Sequence, residues 1–150
     1  MKAVVQRVTQ ASVTIDGQVH SSIGTGSLIL LGIHKDDTPD DITWIARKIA
    51  NLRIFEDPDG RMNQSLADID GQLLVISQFT LIASNKKGNR PSFNDAAPPA
   101  KGKANYQAVC QKLSELTGKP VQTGIFAADM KVDLLNDGPV TILLDTHHKE

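Results

Sequence analysis

A single cysteine, Cys110, stands in the 150 residues, so no intrachain disulfide can staple the fold. A domain of this size can do without one, and the scarcity by itself only favours a reducing compartment. An excess of charge of one sign is missing too. Sixteen Lys and Arg face seventeen Asp and Glu, a formal net charge of -1, which argues against a general nucleic-acid coat protein. Contact with a nucleic acid therefore has to come from a local patch. No apolar run approaches the ~18 residues of a membrane helix. The opening Met1-Lys2-Ala3-Val4-Val5-Gln6-Arg7 breaks its apolar stretch too early for a secretion signal, so a cytoplasmic protein is expected. Gly-x-Ser-x-Gly, the P-loop and the dinucleotide fingerprint are all absent. His20, His34, His147 and His148 stand in no ligand-like spacing with Cys or carboxylates, and the last two read as a solvated tail. No metal and no cofactor are expected.

What is present is an ordinary soluble composition, 40% hydrophobic and 22% charged, long enough for one domain with one sizeable core. Ala3, Val5 and Arg7 share one phase of a period-2 pattern, which Val13 and Ile15 continue. Val4 and Val8 take the other phase, so both faces of the first strand are expected to be covered. Asp16-Gly17 marks a hairpin, and Val19, Ser21 and Ile23 lead back. Leu28 to Ile33 reads as a central strand. Thr38, Pro39 and Asp41 open a helix whose buried face is Ile42, Ile45, Ala46, Ile49 and Leu52. Asp57-Pro58-Asp59-Gly60 is a turn, and Leu73 to Ile76 a second buried strand. Residues 84–103 show no periodicity. A second helix carries Tyr106, Val109, Cys110, Leu113 and Leu116 on one face, with Gly118 as its stop. Two strands, Met130-Val132-Leu134 and Val140-Ile142-Leu144, are expected on either side of a turn at Asn136-Asp137-Gly138-Pro139. The fold class is α+β: a mainly antiparallel or mixed, barrel-like sheet with two helices packed on it, one domain over 1–150.

Ser77-Gln78-Phe79-Thr80 follows a fully apolar strand, where polar side chains are costly unless satisfied. At a strand end they form a rim whose backbone N–H groups can face a developing oxyanion. The plain alternative is a strand that ends in polar residues bonded to neighbouring backbone. Gly138-Pro139 is explained by a turn alone. Arg7 shares the phase of Ala3 and Val5, so it lies at the surface, the commoner case, or is buried and paired. Cys110 reads as a small core residue. Asn85 to Lys103 holds Lys86, Lys87, Arg90, Lys101 and Lys103 against Asp95 alone, which suits a solvated loop or contact with phosphates.

Five tracts together resemble one family, the D-aminoacyl-tRNA deacylases, also called D-tyrosyl-tRNA deacylases. They are Ala3-Val4-Val5-Gln6-Arg7-Val8, Ala11 to Gly17, Ser77-Gln78-Phe79-Thr80-Leu81, Gly88-Asn89-Arg90-Pro91-Ser92-Phe93 and Asn136 to Thr141, in family order across nearly the whole chain. The resemblance implies hydrolysis of the ester of D-aminoacyl-tRNA, with glycyl-tRNA as a further candidate, at the acceptor 3′ end. It also implies a homodimer with sites at the interface. Ser77, Gln78, Phe79 and Thr80 would line one subunit's pocket, and Gly138-Pro139, with a cis bond, would enter from the other subunit and exclude an L side chain. Arg7 would support that turn, and Met130 would lie near the terminal adenosine. Lys86, Lys87 and Arg90 would meet phosphates. The N–H groups near Phe79 and Thr80 would form the oxyanion hole. A water aided by the ribose 2′-hydroxyl would attack, with Thr80 and Gln78 as positioning groups, because no residue obviously activates the Thr80 hydroxyl.

Overall fold

The alternating apolar stretch at the start of the chain becomes β1 (Lys2–Ile15), the strand around which the sheet is built. In the computed structural model, which describes residues 1–150, β1 turns at Asp16-Gly17 into β2 (Gln18–Ile23). Both turn residues have positive φ, 51° and 77°, the conformation for which Asp-Gly is suited. β3 (Gly26–Gly32) then runs antiparallel to the first half of β1, while β2 covers the second half. Helix α1 spans Pro39–Asn51 and opens as expected: Pro39 takes the first position and the Thr38 N–H donates to Asp41 Oδ2 at 2.8 Å. Ile45, Ala46, Ile49 and Ala50 form its buried face.

Burial alone would raise the Asp41 carboxyl, but hydrogen bonds from Thr146 and Thr38 bring it down to about 2. A depressed carboxylate stabilises the fold above its unfolded value of about 4, and that contribution is lost as pH falls through the folded value. Stability is expected to decline from about pH 4 towards 2. Asp41→Asn should flatten that part of a plot of Tm against pH; coincident plots would remove Asp41 as the cause.

A small hairpin, β4 (Phe55–Glu56) with β5 (Met62–Gln64), closes over the Asp57–Gly60 turn. It was not visible as strands because each arm has only two or three residues. β6 (Gln72–Ser77) pairs in parallel with β3 and buries Leu73, Leu74, Val75 and Ile76. Helix α2 (Pro99–Thr117) begins inside the stretch expected to be irregular, with Pro99 at its first turn, and ends at Gly118 in the left-handed conformation. Its buried face includes Tyr106, Val109, Cys110 and Leu113, but Leu116 is exposed. β7 (Gln122–Thr123) adds to the far side of β6.

The last element corrects the sequence reading. β8 (Lys131–Asp145) is one 15-residue strand, antiparallel to β1 from Lys2–Asp145 to Thr14–Lys131. Gln6 pairs with Thr141 and Val8 with Asn136, so Arg7 alone faces Asp137, Gly138, Pro139 and Val140. The turn residues make a bulge instead of a reversal, because one long strand templates both halves. The bulges also separate two groups of core residues along β1. Ala3 and Val5 pack with Ile29, Leu31, Leu73, Val75 and both helices, whereas Val8, Ala11 and Val13 pack with Ile23, Leu28, Leu74 and Ile76. The result is a single-domain α+β fold, a mixed and nearly closed sheet with two helices. No helix is long and apolar enough to cross a membrane.

Candidate active site

Strand β6 carries Ser77 to the end of the sheet, where the Gln78 N–H donates to the Leu31 carbonyl at 2.8 Å. The chain then tightens into a single 3₁₀ turn, Phe79–Leu81. Leu81 N–H bonds the Gln78 carbonyl and Ile82 N–H the Phe79 carbonyl. That leaves the N–H groups of Phe79 and Thr80 without a partner inside the turn. A rim with two donors at its first turn is the arrangement the polar residues after the apolar strand suggested.

A cavity of about 590 Å³ opens at this rim, within the ordinary range for small-molecule sites. Ser77, Gln78, Phe79, Phe93, Phe126 and Met130 are among its lining residues, and none of those residues is ionisable. Three of the chain's four phenylalanines therefore converge on one cavity. Phe79 and Phe93 meet edge to face, with ring centroids 5.2 Å apart. Thr80 lies outside the walls, exposed at the rim, and its hydroxyl accepts a hydrogen bond from Gln78 Nε2. An amide cannot take a proton from that hydroxyl, so Thr80 has no activating base. Phe93, Phe126, Ala127 and Ala128 are cavity residues that the sequence reading did not single out. The usable signal was compositional: of only six aromatics, three are spent at one place.

Arg7 is buried, not at the surface, and its partners explain the cost. Its Nε donates to the Asp137 carbonyl at 2.9 Å and its Nη1 to the Ile54 carbonyl at 2.8 Å. The Asp137 carboxylate stands 3.5 Å from Nε. One guanidinium thus ties the bulge of β8 to Ile54, the residue just before β4. The Gly138–Pro139 bond is cis. Both residues are exposed, and neither lines the cavity of its own chain.

The basic segment sorts into two groups. Ser84 and Ser92 pair through hydrogen bonds of 2.8 and 2.9 Å and close a loop with Lys86, Lys87 and Arg90 exposed at its tip. These three form no salt bridge. Asp95, the one acid, is spent on Lys35 at 2.7 Å. Lys101 and Lys103 belong to α2, and Lys101 is tied to the Lys35 carbonyl.

Two further groups of titratable side chains lie away from the cavity. His148 is exposed, as a tail residue should be, but His147 is not free: its Nε2 lies 2.8 Å from Asp37 Oδ1 and its ring 4.7 Å from that of His34. Asp37, Asp41 and His147 hold potential ligand atoms within 4.8 Å of one another. Asp37 Oδ1 is also 2.6 Å from the α-ammonium of Met1, so this is an ion-pair network. Burial pushes the Cys110 thiol up to about 11, which suits a core residue and not a nucleophile.

A single α+β domain here sets backbone donors over an apolar, uncharged cavity, an arrangement that can hold a developing oxyanion. The particular family is set by comparison with known proteins. The model of the D-Tyr-tRNA(Tyr) deacylase family matches residues 4–145, and the chain belongs to that family. It is 58% identical to the D-aminoacyl-tRNA deacylase of Bacteroides thetaiotaomicron and 56% identical to that of Parabacteroides distasonis, each over the whole of both chains. It is also similar to the solved structure of a c-Myc DNA unwinding element binding protein, with TM-score 0.92 and 43% identity. That match covers 97% of this chain and 99% of the other.

Proposed function

We propose that the chain carries out D-aminoacyl-tRNA deacylation at the cavity under the Ser77–Thr80 rim, with backbone donors instead of a catalytic side-chain base. The activity is that of a hydrolase: the ester between a D-aminoacyl group and the tRNA 3′ end is cleaved to free D-amino acid and tRNA. The observation that carries the route is the pairing of two N–H groups, free within their turn, with a cavity that contains no titratable group. Phe79 and Thr80 N–H would receive the oxyanion as a water adds to the carbonyl carbon. The acyl C–O bond then breaks, and the ribose oxygen leaves with a proton relayed by the neighbouring 2′-hydroxyl. Gln78 and Thr80 position the water, and the aromatic walls with Met130 take the terminal adenosine.

Chirality is assigned to Gly138-Pro139. Within one chain this exposed pair does not reach the cavity, and the outer edge of β8 carries no partner strand. Leu135 and Leu143 on that strand are 55% and 75% exposed. A homodimer in which the bulge of one protomer enters the cavity of its partner accounts for all three facts. Its backbone would obstruct an L side chain, so selection works by exclusion and lets a glycyl group pass.

The test compares loss of labelled amino acid from D-Tyr-tRNA and L-Tyr-tRNA. The D form alone should be cleared. Loss of both would end the stereochemical role of Gly138-Pro139, and binding without cleavage would favour an RNA-binding module. Thr80→Ala should retain turnover within about tenfold. Its abolition, with binding intact, would make Thr80 the nucleophile.

A further inference from the structure

We infer that Gly124 is a positioning residue for substrate: its missing side chain is the seat of the Met130 thioether, and that seat sets the size of the nucleoside cavity. The inference rests on the reading that the cavity takes the terminal nucleoside of tRNA.

Gly124 does not have a positive φ, so its backbone conformation is open to any residue. What glycine supplies here is space. A Cβ at this position would overlap Met130 Sδ, with Ile76 Cδ1 at 3.5 Å and Met130 Cε at 3.7 Å as ordinary contacts. The backbone at this point is held in place. β7 ends one residue earlier, pairing Leu74 with Gln122 and Val75 with Thr123, and Ser21 Oγ donates to the Thr123 carbonyl at 2.7 Å. Between a fixed strand end and a flexible thioether, the thioether yields. Met130 lines the cavity, so a side chain pushed away from Gly124 moves into the space the nucleoside needs. The link from Gly124 to Met130, between β7 and β8, also supplies Phe126 and Ala128 to the cavity wall, so Gly124 lies where that link enters the site.

This separates Gly124 from a glycine needed for folding. Alanine here should leave the fold intact and act on binding. Kinetics of D-Tyr-tRNA hydrolysis and Tm are to be measured for the unaltered protein, Gly124→Ala, Met130→Val and the double variant. Gly124→Ala should raise KM about tenfold with kcat within about twofold and Tm unchanged. Valine at 130 has no atom where Sδ sits, so adding Gly124→Ala to Met130→Val should change KM by less than about threefold. An unchanged KM in Gly124→Ala, or effects that simply add in the double variant, would overturn the inference. Ala128→Trp, which fills the cavity, tests the underlying reading by itself. If it leaves KM unchanged, the nucleoside does not enter and both readings fall. If it raises KM while Gly124→Ala does not, only the role of Gly124 is lost.

Discussion

Gly138→Ala is expected to lower kcat/KM for D-Tyr-tRNA by about 10²-fold or more in a protein that still folds. Gly138 has φ 120°, where an L side chain is strained. A Cβ there would stand 2.7 Å from Arg7 Nη2 and 3.2 Å from Val140 Cγ2. The guanidinium has nowhere to retreat. It is 7% exposed and committed to the carbonyls of Asp137 and Ile54, at 2.9 and 2.8 Å. Charge-assisted bonds of this kind contribute about 1.5–3 kcal/mol each, so the bulge moves before Arg7 gives them up. A shift of about 1 Å in a group that must meet the reacting ester costs on the order of 10²-fold. Tm should drop by a few degrees, and near-normal kcat/KM would show that the bulge takes no part in the reaction. Mixing decides whose cavity it serves. A heterodimer of Gly138→Ala with the cavity-filled Ala128→Trp has one intact cavity facing one intact bulge. Random reassociation should therefore return about a quarter of normal activity from two nearly inactive proteins. If the mixture stays inactive, the bulge does not work across a dimer.

Arg7 also shows where sequence reasoning reached and where it stopped. Its inward phase was plain from Ala3 and Val5, yet phase alone cannot distinguish a surface charge from a buried one with partners. Those partners lie at Ile54 and Asp137, in elements far along the chain. The Asn136–Pro139 segment failed for a related reason. Turn residues specify a local bend, and whether the bend reverses the chain depends on the strand beside it. α1, the Asp16-Gly17 hairpin and the strand β3 were legible because each is fixed by neighbours in sequence: a cap, two positive φ angles, an unbroken apolar run. The Ser77–Thr80 rim was legible in the same way. The cavity behind it was not, because Phe93 reaches it from one segment and Phe126 with Met130 from another, both distant from the rim in sequence, and no periodicity relates them. Resemblance to a family named the rim and Met130, but only the fold shows that Thr80 stands outside the walls.

Replacing Lys86, Lys87 and Arg90 together with Gln is expected to raise KM for D-Tyr-tRNA about 10²-fold at low salt, with kcat little changed. The chain as a whole carries a net charge of -1 and cannot draw a polyanion by its overall field. Attraction must come from cations that no acid already neutralises. The tip of the Ser84–Ser92 loop holds three of them, because Asp95 is engaged by Lys35. Exposed and long, these side chains suit phosphate contact, which requires charge and reach but no fixed geometry. Each phosphate neutralised steepens the dependence of log K on log salt by about 0.7–0.9. The triple variant should therefore lose roughly 2 units of slope, and its disadvantage should shrink as salt is raised. Lys103→Gln, on α2 beside Tyr106 and Gln107, removes one cation away from the loop and should leave KM unchanged. Equal salt slopes for the triple variant and the unaltered protein would make the loop a solvated one and move the tRNA contact elsewhere. A steep loss confined to the triple variant would mean that the acceptor stem lies along this loop, next to Phe93, and that one segment carries both phosphate and nucleoside contacts.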